Sequence, residues 1–432
     1  KIIKILLICI FITNCSFNKN SKFWSSSKQI EKEVKQNIKE IFEDDEVLNL
    51  ELNPSLPIRL NSKLSSMNSV DNYTNNNGRI NFDGNLKNIS KFKIDKIENF
   101  YQFDPTILPH KKSIIFFDNK GSILKFDENS KLIWKLNIYS KDEKKTGPLI
   151  TLSKTKNILI AADNFAKIYA IDINNGKILW SKKNKTPFNS QIKIYKDKLF
   201  IIDTSNNLNC YSLTNGDKIW SYSTEKSFIN SFKKLSIIIK NQFLVFNNSL
   251  GDITAINTND GTLLWQLSTQ NSQLFEDIMN LKTSEIIENE GSIYFSNNKG
   301  QFFSIDLKSG AINWMQNIIS DLKPGIVGNL IFTISLDGYF FIIDKQNGNI
   351  LRIVNIFNQT KINKKRKVYP TGFVFNHKNL YITTSNGRLI ITNIKTGKIK
   401  NVLKIDNEKI SRPFVKNQNM YLIRNNSILK LY

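Results

Sequence analysis

From about residue 89 to the C-terminus, short apolar runs alternate with polar turns, and the pattern repeats. The most apolar run of each unit recurs eight times, at 113–117, 158–160, 199–202, 243–246, 292–295, 330–333, 380–382 and 420–423. After each comes a polar turn and a second run, such as Lys167-Ile168-Tyr169-Ala170-Ile171. A turn ending in glycine follows, then a run that carries tryptophan. Its glycines are Gly176, Gly216, Gly261, Gly310, Gly348 and Gly397, with Ser130 in the first copy. The tryptophans are Trp134, Trp180, Trp220, Trp265 and Trp314, while Arg352 stands at that position in a degenerate copy. The period is about 44 residues, that of a propeller blade or a comparable repeat unit. Four short strands fit each period, each bounded by Gly, Asn or Asp.

A four-stranded unit has two apolar faces and cannot bury both alone, so it stacks on its neighbours. Closing the stack into a ring leaves only short, protected edges. A tryptophan wedged between blades contributes on the order of 2–3 kcal/mol by burial, so the Trp and Gly positions are read as blade packing. The last copy, Arg424 to Tyr432, ends at its third strand. The alternating segment Lys91-Phe92-Lys93-Ile94-Asp95-Lys96 is positioned to supply the missing one. The fold expected is all-β: an eight-bladed β-propeller of four-stranded antiparallel blades over 89–432, the N-terminal strand closing the last blade.

Upstream the pattern changes. Residues 15–88 are rich in Ser, Asn and Lys and read as a tether. Within it, Ile30, Val34, Ile38 and Ile41 fall at helical spacing, which predicts a short amphipathic helix over about 28–47 behind Ser25–Ser27 as caps. At the start, Lys1 and Lys4 flank the apolar run 5–12, then Thr13-Asn14-Cys15-Ser16. A basic end and an apolar core of this size read as a secretory signal over 1–14, too short to span a bilayer as a finished helix. The cysteine placed after it resembles a bacterial lipobox, with Asn14 where Gly, Ala or Ser is usual. That resemblance implies lipidation at Cys15 and an outer-membrane address.

Charge and composition then narrow the chemistry. The formal net charge is +24, with 61 Lys and Arg against 37 Asp and Glu. A nucleic-acid partner is the first thought, but only seven of the basic residues are Arg, and base readout favours the bidentate Arg fork. Lys, Ile and Asn are enriched evenly along the chain, as AT-rich coding would produce, and no nucleic-acid partner is expected. His110 and His377 alone offer little for histidine catalysis or a multi-His metal site, and Cys9, Cys15 and Cys210 make no disulfide framework. The turn acids Asp127, Asp172, Asp306 and Asp344 sit where Asp caps its own turn. The run Lys361 to Lys367 is a solvated loop or a patch for anionic lipid or glycan.

Lipobox, tether, closing strand and eight blades, with Lys167 to Trp180 as the best copy of the motif, resemble the BamB-like outer-membrane protein assembly lipoproteins of the pyrroloquinoline-quinone (PQQ)-like repeat family. The resemblance implies a scaffold without catalytic residues, cofactor, metal or small-molecule substrate. It also implies a lipid anchor in the membrane and docking on the barrel-inserting subunit of the BAM complex. The matching docking loop follows Trp220, at Phe228, Ile229 and Asn230, without the Arg common there in the family. The rivals are a PQQ-dependent dehydrogenase of the same fold and a stand-alone periplasmic binding propeller. The dehydrogenases carry adjacent cysteines over the cofactor, which this sequence lacks.

Overall fold

The computed structural model describes residues 58, 60, 78, 82–84, 86, 87, 89–94, 105–226, 233–269, 281–359 and 367–432. Among them, eight antiparallel four-stranded sheets follow one another around a β-propeller. Blade 1 comprises Leu108–His110, Ser113–Phe117, Ile123–Asp127 and Leu132–Leu136. Blades 2 to 7 repeat this meander over 150–183, 193–223, 237–267, 287–316, 325–355 and 370–404. Blade 8 takes three strands from the C-terminus (Phe414–Lys416, Asn419–Arg424, Ser427–Leu431) and its fourth from Ile89–Lys93. That closing strand pairs Ile89 with Leu431 and Lys93 with Ser427. It begins two residues earlier than the alternation suggested and ends at Lys93, with Phe92 buried against Ile428 and Phe126.

Second strands are apolar throughout because both of their faces are covered. Ile115 and Phe117 pack toward Ile150 and Leu159 of blade 2, whereas Ile114 and Phe116 pack toward Ile423 and Ile428 of blade 8. The first strands of blades 1 to 5 touch in succession, which places them innermost. The fourth strands are outermost, with Ile133, Leu179 and Leu264 exposed at the rim.

Packing begins before residue 89. Phe82 is fully buried beside Tyr381, ring centroids 5.0 Å apart, and its carbonyl accepts from Asn376 Nδ2 at 2.7 Å. Ile58 is buried in the apolar layer of Phe332, Phe375 and Leu380. Gly78, at φ 69°, lies so close to an inner strand that a Cβ there would stand 2.1 Å from the Pro324 carbonyl oxygen. Isolated apolar residues in a polar stretch leave no periodic trace, so the sequence read all of this as tether. The expected helix over 28–47 and Cys15 lie outside the described residues, as do Phe228, Ile229 and Asn230. No helix among the described residues is long and apolar enough to cross a membrane.

Candidate functional site

An antiparallel meander fixes what each face of the ring presents. The first-to-second and third-to-fourth turns lie on one face. The second-to-third turns share the other with the connectors that lead from one blade to the next. The expected docking loop is such a connector. On its N-terminal side the Thr224 hydroxyl donates to the Asn206 carbonyl at 3.2 Å. On its C-terminal side Lys233 Nζ donates to the Asp321 carbonyl and pairs with the Asp321 carboxylate at 3.5 Å. One end of that loop is therefore fastened to the second-to-third turn of blade 3 and the other to the connector between blades 5 and 6.

The connector between blades 1 and 2 carries a short helix, α1 (Lys141–Thr146), capped by Ser140 and Glu143 in a reciprocal box. Tyr139, just before it, donates its hydroxyl to Asp163 Oδ2 at 2.7 Å. Burial, then the Asp163 charge, raises the Tyr139 phenol, and burial raises the Asp163 carboxyl. This buried pair fastens the connector to blade 2.

At the rim the tryptophans and glycines meet across blades, not within them. Trp134 lies over Gly176, Trp180 over Gly216, Trp220 over Gly261, Trp265 over Gly310 and Trp314 over Gly348. A Cβ on Gly310 would come within 2.6 Å of the Trp265 ring, and its φ of 74° already excludes most side chains. Each indole Nε1–H donates into the same turn: Trp134 to Ile173 O at 3.2 Å, Trp180 to Leu213 O at 3.0 Å, Trp265 to Leu307 O at 2.9 Å. At the next junction Arg352 donates to the Lys395 carbonyl, and Val354 covers Gly397. Two residues there divide what one indole does elsewhere. The turn acids hold their own loops, as where Asp172 Oδ1 accepts from Asn174 N at 2.8 Å.

A second set of turn carboxylates and amides escaped the sequence reading. Asp118, Asp163, Asp203, Asn248 and Asn297 end the second strands, each accepting from the amides two and four residues on. Their spacing follows the blade period, so the signal was present. They knit turns on the connector face.

At the axis the residues are charged. Glu285, Lys323 and Arg412 each precede the first strand of their blade (5, 6 and 8), and Lys193 lies within the first strand of blade 3. Arg412 Nη1 reaches Glu285 Oε1 at 2.5 Å, and Lys323 Nζ reaches Glu285 Oε2 at 2.9 Å. Burial alone would raise the Glu285 carboxyl, yet Arg412, then Lys323 and Lys193, hold it well below the usual range. Burial and then Lys323 pull the Lys193 amine down to about 7, against the attraction of Glu285. Gly372 makes room for this arrangement, since a Cβ there would stand 2.3 Å from the Arg412 Cβ.

Little here offers nucleophilic or metal chemistry. Burial pushes the Cys210 thiol up to about 12, so at neutral pH it is a small apolar group. Among the described residues no three His, Cys, Asp or Glu side chains cluster as metal ligands would. His110, buried in the first strand of blade 1, has an Nε2 with no hydrogen-bond partner. Its imidazole is lowered to about 4 by burial and by Lys125, Lys154, Lys111 and Lys416.

The family model for outer membrane protein assembly factor BamB matches residues 119–354, more than half of the chain. The chain belongs to the BamB family. BamB of Moranella endobia is 21% identical over 351 residues, covering 75% of this chain and 86% of the relative. The crystal structure of BamB from Moraxella catarrhalis superposes with a TM-score of 0.63 at 15% identity, over 79% of this chain and 98% of that one. Quinohemoprotein alcohol dehydrogenase from Comamonas testosteroni reaches 0.58 at 10% identity, over 82% and 78%. At such identities a structural likeness shows the propeller alone. Membership of the BamB family rests on the matched repeats, which contain all five Trp–Gly junctions described above.

Proposed function

We propose that this protein is a non-enzymatic scaffold of outer-membrane β-barrel assembly, held at the periplasmic face of the outer membrane through lipid on Cys15. In this reading its connector face docks on the barrel-inserting subunit of the BAM complex. The BamB family match over 119–354 carries the proposal. Two features support it: a connector loop fastened at both ends, and a sequence without the adjacent cysteines of a quinone-dependent dehydrogenase. In the sequence Phe228, Ile229 and Asn230 lie between Thr224 and Lys233, whose side chains are fastened, and an aromatic residue is a common anchor in a partner's pocket.

Affinity purification of the tagged chain from detergent-solubilised outer membranes tests this directly. The expected result is co-purification of the barrel-inserting subunit, reduced by Phe228→Ala with the fold intact. Recovery of the chain without that subunit would overturn the reading. A Cys15→Ser variant is expected in the soluble fraction.

A further inference from the structure

The assembly reading uses the connector face and leaves the opposite face of the ring unassigned. There the first-to-second turns, counted from the last residue of one strand to the first of the next, are unevenly charged. In blades 8, 1, 2 and 3 they span 416–419, 110–113, 154–158 and 195–198, and hold seven lysines and one aspartate in 17 residues. In blades 4 to 7 the same turns, also 17 residues, hold two lysines and one glutamate. The third-to-fourth turns of blades 1 to 3 are nearly balanced, with Asp127, Glu128, Asp172 and Asp217 against Lys131, Lys177 and Lys218. From residue 15 on, the residues outside the described ones carry 14 acidic and 14 basic side chains, so in sum they do not cancel the excess.

Turn geometry does not call for these lysines. Six blades turn through two residues whose first is left-handed: Lys111, Lys196, Asn241, Glu290, Gly328 and Asn417, with φ between 44° and 57°. Asn and Gly adopt that conformation at least cost. Lys is the poorer local choice at 111 and 196, and AT-rich coding supplies Asn as readily. Lys111, Lys112, Lys156 and Lys196 are exposed. Lys198 and Lys416 are half-buried and donate to the Asn259 and Ser113 carbonyls at 2.8 and 2.9 Å, partners that leave their charge in place. The buried His110 imidazole registers the same charge, since after burial and Lys125 it is lowered by Lys154, Lys111 and Lys416.

We propose that this arc of turns is a contact surface for a lipid bilayer that carries anionic headgroups. The exposed residues of the four turns are Lys, Asn, Gln and Asp, with no exposed apolar side chain to seat in a protein partner's pocket. Lysine is a flexible point charge that attracts phosphate without fixing its direction. A headgroup layer asks for that and no more, and each basic residue near it strengthens binding several-fold. The chain also joins the ring on this face. The Asp83 N–H donates to Gln418 Oε1 at 3.0 Å, and the Phe82 carbonyl accepts from Asn376, both in first-to-second turns. Lipid on this face leaves the connector face open to a partner, and the contact stands whether or not Cys15 is acylated.

Vesicle co-sedimentation of the full chain tests it, with Cys15→Ser so that no acyl chain contributes. The probes are phosphatidylcholine vesicles and vesicles of equal parts phosphatidylcholine and phosphatidylglycerol. Binding is expected only to the mixed vesicles, and to weaken as salt rises. Combining Lys111→Asn, Lys112→Gln, Lys156→Gln and Lys196→Asn is expected to weaken it on the order of a hundredfold. This variant is expected to melt no lower than the parent, because Asn suits the left-handed positions. Replacing Lys361, Lys364, Lys365 and Lys367 by Gln removes equal charge elsewhere and is expected to leave binding nearly unchanged. Absence of binding to the mixed vesicles would overturn the proposal. So would equal losses in the two variants, or a loss confined to the second. Lost binding together with a lower melting temperature would make the turn lysines structural and overturn it as well. Stronger binding to soluble polyglutamate than to the vesicles would assign the arc to an acidic polypeptide instead.

Discussion

The rim and the axis of this propeller join blades in different ways. At the rim a tryptophan crosses to the next blade, covers its turn glycine and donates into the same turn, and this is repeated at five successive junctions. Each contact links neighbours only, is mostly apolar, and tolerates replacement, as Arg352 and Val354 show. At the axis the described contacts are ionic and not repeated: Lys323 reaches Glu285 from the next blade, and Arg412 reaches it from blade 8, which is not a neighbour of blade 5. Apolar burial is additive and non-directional, so one solution serves many junctions. A buried ion pair needs particular partners in a particular place, and its net contribution to stability is small or negative. The rim therefore carries more of the stability than the axis does.

That contrast is open to tests of decreasing size. Trp265→Ala deletes a buried indole, its bond to Leu307 and the cover on Gly310. It is expected to cost about 4 kcal/mol in urea denaturation; a loss below 1 kcal/mol would break the assignment of stability to the rim. Phe92→Ala, in the strand that closes blade 8, is expected to cost about 3 kcal/mol, with faster proteolysis between residues 414 and 432. An unchanged cleavage pattern would mean that the C-terminal strands hold without their clasp.

The third test concerns the inner layer. His110 titrates at about 4 in the fold against 6.5 when unfolded. Between those values the unfolded chain binds the extra proton, so this part of the stability is present above the window and drains away as the pH falls through it. His110→Phe is expected to flatten the acid-side stability curve by about 2 kcal/mol relative to the parent chain. Parallel curves for the two proteins would show that the imidazole is not desolvated in solution.

Much of the fold was legible because blades repeat. The period of the second strands, the turn glycines and the tryptophans gave the number of blades, and the three-stranded last copy pointed to 91–96 as the closing segment, which the structure places at Ile89–Lys93. The ring of Asp and Asn at the ends of second strands was equally periodic and was passed over, since the reading followed glycine and tryptophan. Arg352 was visible as the residue in the Trp position, but not its donation to Lys395.

Other features had no sequence signal. Glu285 and Arg412 are 127 residues apart and belong to no repeated motif, so nothing along the chain announces their 2.5 Å contact. Phe82 is one aromatic in a polar stretch, and only its burial beside Tyr381 distinguishes it. The sequence by itself determined what arises between consecutive strands and neighbouring blades: strand period, turn chemistry, blade count and ring closure. The tertiary structure decided what meets at the centre, because closure brings distant blades to one axis and leaves their side chains to balance charge there.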